Sequence, residues 1–207
     1  MGEAEGPVVV KLGGSLAFSH DLQQWIVACT TCAGRVVIVP GGGPFADTVR
    51  SAQAQMQFDD LAAHQMAVLA MEQYGRALAS RNALLVLADT ADAIRHCLAK
   101  QHVPVWSPAR MVFGARDIAP SWDVTSDSLA AWLSGSIGAA RLLVVKSVAL
   151  ASRRERCESL VATGVLDKAF PRYLRAGAVQ CSILGPQDHA AAMAAVRDGT
   201  PVGLSIE

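Results

Sequence analysis

Lysine is scarce in this sequence: fourteen arginines stand against four lysines, Lys11, Lys100, Lys146 and Lys168. The two cationic heads differ in shape and hydration, so a chain that uses arginine by default keeps lysine where a compact ammonium is wanted. A coding bias toward arginine gives the same ratio. Lys100 ends a helical stretch, where a cation suits the dipole, and the other three stand beside the motifs below. Charge of one sign is also missing, because 18 basic residues balance 18 acidic ones. That argues against an electrostatic grip on nucleic acid or on a membrane surface. No apolar run approaches the ~20 residues that span a bilayer. Cysteine is limited to five, an odd number without framework spacing, which points to a reducing compartment. The one CxxC, Cys29 and Cys32, falls in a helical stretch and reads as two half-buried thiols.

Several catalytic patterns are absent as well. Without GxxxxGK[ST] the chain is not a P-loop nucleotidase, and without GxGxxG a dinucleotide fold loses support. The nearest approach to a serine-hydrolase elbow, Ser134 to Gly138, lacks the first glycine. No HExxH and no second CxxC suggests a catalytic metal. Met1 to Pro7 holds two acids and no base, unlike a secretory leader. A cytoplasmic protein folded as one domain over 1–207 is the expectation.

The stretch Val8 to Leu16, VVVKLGGSL, organises what is present. Three valines, Lys11 and Leu12 read as a short buried strand. Gly13 and Gly14 then expose bare backbone N–H groups, and Ser15 is expected to open a helix whose dipole favours an anion. The plainer reading is a turn with Lys11 snorkelling from a strand end. Arg35 to Val39 repeats the plan: a strand, then Gly41, Gly42 and Gly43, then Pro44 at a helix start. Both loops fall at the strand ends where open α/β sheets bind ligands.

Further on, Asp59 and Asp60 precede a helix to about Ala79, with a core stripe of Ala67, Ala70, Met71, Tyr74 and Leu78. His64, near its start, reads as structural or as a ligand contact. A strand at Leu84 to Leu87, a helix from Thr90 to Lys100 and a strand at Val103 to Val105 follow. Trp122 and Asp123 lie on an irregular segment, suited to lining a cleft. Thr125 or Ser126 can cap the next helix, with Asp127 in its first turn and Leu129, Trp132, Leu133 and Ile137 as its buried stripe. A strand at Leu142 to Val145 ends in Lys146, Ser147 and Val148. Residues 152–163, rich in arginine and glutamate, read as a mobile solvated excursion, and 164–173 as a helical turn interrupted by Pro171. Val179 to Leu184, a helix from Pro186 to Arg197 and Val202 to Ile206 close the chain. Alternating strands and helices imply a largely parallel sheet covered on both faces.

Lysines and glycine loops at strand ends suit a travelling phosphoryl group, which needs positioning and charge neutralisation more than covalent help. Asp127 would restrain two lysines that otherwise repel each other.

KLGGS (Lys11 to Ser15), PGGGPFAD (Pro40 to Asp47), TSDSLAA (Thr125 to Ala131), LLVVKSV (Leu142 to Val148) and GVLDKAF (Gly164 to Phe170) together resemble the amino acid kinase family. The resemblance implies a three-layer αβα sandwich with a mainly parallel central sheet, the acceptor over the N-terminal half and ATP over the C-terminal half. It implies that Lys11 stabilises the transferring phosphoryl group and that Asp127 organises the site, with Lys146 at the nucleotide side. Gly13, Gly14 and Ser15 would bind phosphate, while Ser147, Val148, Asp167 and Lys168 would attend the nucleotide. Gly41, Gly42 and Gly43 would hold the acceptor, with Asp60, His64, Trp122 and Asp123 nearby.

Within the family, PSWDVTSDSLAAW and AHQMAVLAMEQYG look most like the branch that phosphorylates an aminomethylfuran phosphate in the making of methanofuran-type cofactors. Trp122, Trp106 or Phe45 would wall its ring, and Asp123, Asp60 or Asp59 would meet its amine. Mg²⁺ would travel with ATP, and relatives suggest a homodimer or larger homo-oligomer. Uridylate or isopentenyl phosphate kinase, and a non-catalytic nucleotide-binding, oxyanion-binding or storage protein on the same fold, are the alternatives.

Overall fold

The computed structural model describes residues 6–147 and 154–207. Val148 therefore lies outside the described residues. Eight strands form one sheet in the order β3-β4-β2-β1-β5-β7-β8-β6. They are β1 (Val8–Leu12), β2 (Val36–Pro40), β3 (Leu85–Ala88), β4 (Val103–Trp106), β5 (Arg141–Val145), β6 (Arg154–Glu155), β7 (Gln180–Leu184) and β8 (Leu204–Ile206). All neighbours run parallel except β7 and β8. The central strands β1 and β2 are buried throughout, as their unbroken apolar runs require.

Nine helices are described: α1 (His20–Thr30), α2 (Gly43–Met56), α3 (Asp60–Ala79), α4 (Ala91–Ala99), α5 (Ala109–Val112), α6 (Ser126–Ser136), α7 (Cys157–Ala162), α8 (Phe170–Gly177) and α9 (His189–Asp198). Strand alternation divides the core in two. Val9, Val37, Val39, Leu142, Val144 and Ile183 join Leu129 and Leu133 of α6 and Phe170 and Tyr173 of α8. Val8, Val10, Ile38, Leu143 and Val145 meet Trp25 and Ile26 of α1 and Met193 and Val196 of α9. The result is a three-layer αβα sandwich.

Register sets the site. Lys11 pairs with Val39 of β2 and Val144 of β5, and Leu12 with Pro40 and Val145. The three strands thus end level, and the loops that follow them emerge side by side. Lys11 and Lys146 alternate onto the same face as Val9 and Val144, the face covered by α6.

Four expectations need correction. Ser15 opens no α-helix: Gly14–Leu16 is a single 3₁₀ turn, and α1 starts at His20 with Ser19 as its cap. A helix dipole is therefore available after β2 but not directly after β1. The described part of the excursion at 152–163 is ordered, because Cys157 and Leu160, three residues apart on α7, bury together and β6 pairs with β8. Pro171 opens α8 rather than interrupting a turn, since its missing N–H falls in the first turn. Cys29 and Cys32 are fully buried, not half-buried, and Cys32 lies beyond the end of α1. Burial pushes the Cys29 thiol up to about 12, as an inert core thiol should behave.

Candidate active site

Two glycine loops interlock at the carboxyl edge of the sheet. A Cβ on Gly41 would lie 2.5 Å from the Gly14 nitrogen, and one on Gly14 would lie 2.6 Å from the Gly43 nitrogen. Both contacts are closer than real Cβ atoms come, so glycine is required for one loop to rest on the other. Beside them opens a cleft of about 490 Å³, lined among others by Lys11, Gly13, Gly14, Ser15, Gly42, Gly43, His64, Trp122, Asp127 and Lys146.

At its floor Asp127 joins the two lysines. Lys11 Nζ lies 2.5 Å from Oδ1 and Lys146 Nζ 2.5 Å from Oδ2. Lys11 and Asp127 are almost fully buried, at 4% and 3% exposure, while Lys146 keeps 19%. Burial alone would push the Asp127 carboxyl up, but Lys11 and Lys146 outweigh it and hold the group below the usual carboxylate range. Lys11 is pulled below the ordinary lysine value of 10.5 by burial, aided by Lys146 and opposed by Asp127. Two ammonium groups and one carboxylate leave a single net positive charge where the loops meet.

Asp127 owes its position to a residue far away in sequence. Thr125 caps α6 without using its own side chain for the purpose. Asp167 acts instead: its Oδ2 accepts from Thr125 N at 3.0 Å, Thr125 Oγ1 at 2.7 Å and Ser128 N at 3.1 Å. Its Oδ1 accepts from Ser128 Oγ. A carboxylate at a helix N-terminus satisfies orphan donors and suits the dipole.

The remaining sequence candidates divide. Ser15 Oγ and Ser147 Oγ lie 3.1 Å apart, bridging the loops after β1 and β5. His64 is buried against the cleft, and desolvation lowers its pKa from 6.5, which keeps the ring neutral. Gly41 is outside the lining, used for loop contact. Asp59 caps α3 through Ala62 N at 2.8 Å, and Asp60 accepts from Gln53 Nε2 at 3.0 Å. Lys168 is exposed and pairs with Asp123 at 3.1 Å. None of Asp59, Asp60, Asp123, Asp167 or Lys168 lines the cleft. Trp106 cannot wall it either: it is buried, stacked on Trp132 and bonded to Met111 Sδ. Phe45 also lies outside the lining, so Trp122 is the candidate aromatic that faces the cleft.

Sequence reasoning gave no site role to Phe18, Asp47 or Arg50 and read Met71 as core, where it is indeed buried; all four are in the lining. Gly43, Asp47 and Arg50 follow helical spacing along α2, a signal that was open to reading. Phe18, 90% exposed, carried no pattern at all. Among the described residues no group of three or more His, Cys, Asp or Glu is placed to hold a metal, and both oxygens of Asp127 already face lysines. No helix described is long and apolar enough to cross a membrane.

Comparison with known proteins gives this arrangement a setting. Over 148 residues the chain is 27% identical to the [5-(aminomethyl)furan-3-yl]methyl phosphate kinase of Methanocaldococcus jannaschii, a match covering 70% of this chain and 64% of that relative. The matched stretch is less than two thirds of the relative's length. The fold is similar to uridylate kinase from Archaeoglobus fulgidus, with TM-score 0.73 and 18% identity over 97% of this chain and 100% of the other. It is also similar to UMP kinase from Bacillus anthracis, with TM-score 0.69 and 15% identity over 97% and 95% of the two chains. Residues 6–153 match the amino acid kinase family, and the chain belongs to that family.

Proposed function

We propose that this protein is an ATP-dependent kinase that adds a phosphoryl group to the phosphate of a small phosphomonoester, with [5-(aminomethyl)furan-3-yl]methyl phosphate as the acceptor and its diphosphate as the product. The observation that carries the reading is Asp127 gripping Lys11 and Lys146 between two glycine loops. The furan phosphate kinase relative and the apolar wall of Val68, Met71, Val124 and Leu129 beside Trp122 support a small ring as acceptor.

An oxygen of the acceptor phosphate attacks the γ-phosphorus in line. A new P–O bond forms as the bridging bond to the β-phosphate breaks, and the electron pair leaves with ADP. Lys11 meets the equatorial oxygens of the group in transit, and Lys146 meets the leaving side. Asp127 keeps both ammonium groups converged, so little reorganisation is needed as charge shifts. Gly13, Gly14 and Ser15 offer donors to the nucleotide phosphates, while Gly42, Gly43 and the start of α2 offer them to the acceptor. Mg²⁺ would arrive with ATP and neutralise part of the charge on its phosphates. His64 and Trp122 face the acceptor, and Ser147 lies toward the nucleotide. Asp60, Asp123, Asp167 and Lys168 act on this reading as supports around the cleft rather than as contacts.

Five unpaired, buried cysteines support a cytoplasmic protein. Exposed Leu61, Met66 and Leu69 on α3 support pairing of two copies through that helix. Steady-state assays with the furan phosphate, uridylate and isopentenyl phosphate test the substrate. Turnover of the furan compound at the highest kcat/KM is expected. Efficient turnover of another acceptor with none of the furan phosphate overturns the choice of substrate.

A further inference from the structure

The acceptor phosphate brings up to two negative charges to a cleft whose central trio carries one net positive charge. Burial lowers the His64 pKa, which makes that ring a poor source of further positive charge on the acceptor side. One other cation lines the cleft among the described residues, Arg50. It belongs to the stripe Gly43, Asp47, Arg50 on α2, two turns beyond the glycine loop. Helical side chains lean toward the N-terminus, which carries the guanidinium back toward Gly43.

The guanidinium is also prepositioned. Its carbon lies 4.4 Å from the centroid of the Trp122 ring. Trp122 is itself fixed from α2, because its Nε1 donates to Gln53 Oε1 at 2.6 Å. Gln53 is anchored in turn by bonds from Nε2 to Asp60 Oδ1 and to the Phe58 carbonyl. Arg50 and Gln53 thus hold the indole by face and by edge. The ion pair between Arg50 and Asp47 is weak: Nη1 lies 3.2 Å from Asp47 Oδ1, with the side chains 56% and 77% exposed. Such solvated pairs hold little free energy, so the head is easily transferred to a better anion.

Resting on the phosphomonoester reading above, we infer that Arg50 is the ligand of the acceptor phosphate and that Trp122 and Gln53 are positioning residues for it. The planar fork of a guanidinium binds two phosphate oxygens at once, which a lysine cannot do. Arg50 thereby gives the acceptor side a bidentate anchor for an oxyanion.

The test compares wild type with Arg50→Gln, Arg50→Lys and Trp122→Leu, using the furan phosphate, uridylate and isopentenyl phosphate as acceptors and methyl phosphate as competitor. Arg50→Gln should raise KM for the accepted phosphomonoester about 10- to 100-fold, with KM for ATP unchanged. Inhibition by methyl phosphate should weaken by the same factor, and Arg50→Lys should recover only part of the loss. Trp122→Leu should raise the acceptor KM about 2- to 5-fold through loss of the stacking. If wild type phosphorylates a phosphomonoester and Arg50→Gln leaves its KM unchanged, the role of Arg50 is overturned while the kinase reading stands. If wild type phosphorylates only carboxylate acceptors such as glutamate, the phosphomonoester reading fails and Arg50 loses its role with it.

Discussion

On the β2 side of Lys11, the cleft is walled by Gly42, Gly43, Asp47 and Arg50 of α2, by His64 and Met71 of α3, and by Trp122. On the β5 side it has Lys146, and the polar residues of the later motif turn away. Asp167 is bonded to α6 and Lys168 to Asp123. One side therefore contacts the ligand space directly, whereas the other acts mainly by holding Asp127 and the lysines in place. Membership of one motif does not give its residues one role. Asp167 and Lys168 are neighbours in sequence, yet one caps a helix and the other is solvated.

Removing the charge at the centre should have the largest effect. Lys11→Ala should lower kcat by about 10³-fold with ATP binding retained, as expected for loss of a donor aimed at developing charge. Single-turnover rates alongside nucleotide titration check it, and an unchanged rate would remove Lys11 from the chemistry.

Next comes the support on the far side. Asp167→Ala leaves Ser128, which is fully buried, and the start of α6 without their acceptor. Stability should fall by about 2 kcal/mol, and kcat should drop with KM for ATP little changed. A large rise in KM for ATP at constant kcat would make Asp167 a nucleotide contact and break the contrast.

The pH dependence sharpens it. Lys11 has a lowered pKa and must stay protonated to act, so kcat should decline on the alkaline side before the ordinary lysine value of 10.5 is reached. His64, held neutral by burial, has a folded-state pKa below its unfolded value of 6.5. Between those values the unfolded chain binds more protons, so stability should fall as pH drops below about 6.5. His64→Gln should flatten that slope in denaturant titrations from pH 7.5 to 5; an unchanged slope assigns it to other groups.

The smallest effect belongs to Lys168. Its pair with Asp123 is 77% and 54% exposed, so Lys168→Ala should change stability by about 0–1 kcal/mol and kcat/KM by less than about twofold. A loss of tenfold or more would place Lys168 at the nucleotide after all.

Most strands and the two glycine loops were legible because each follows from local chemistry. Unbroken valine runs bury, triple glycine turns, and proline starts a helix. Lys11, Asp127 and Lys146 could be picked out by residue type and position, but their convergence depends on register between β1 and β5, which is set across more than a hundred residues. The cap from Asp167 to α6 was hidden for the same reason. Trp106 misled because an aromatic at a strand end reads equally as wall or core, and packing on Trp132 decided for the core. Arg50 was passed over because a helical arginine ordinarily marks a solvated face. Only the third dimension puts it on Trp122.

The central claim is that Asp127 holds two lysines at one point so that a phosphoryl group can pass between two phosphates. Its most direct test is ³¹P NMR of ATP and the furan phosphate incubated with wild type or Asp127→Asn in parallel. Wild type should replace the acceptor monoester resonance with the coupled pair of a diphosphate ester as ADP appears, and Asp127→Asn, folded by circular dichroism, should show almost none. Equal diphosphate formation by the two proteins would contradict the account.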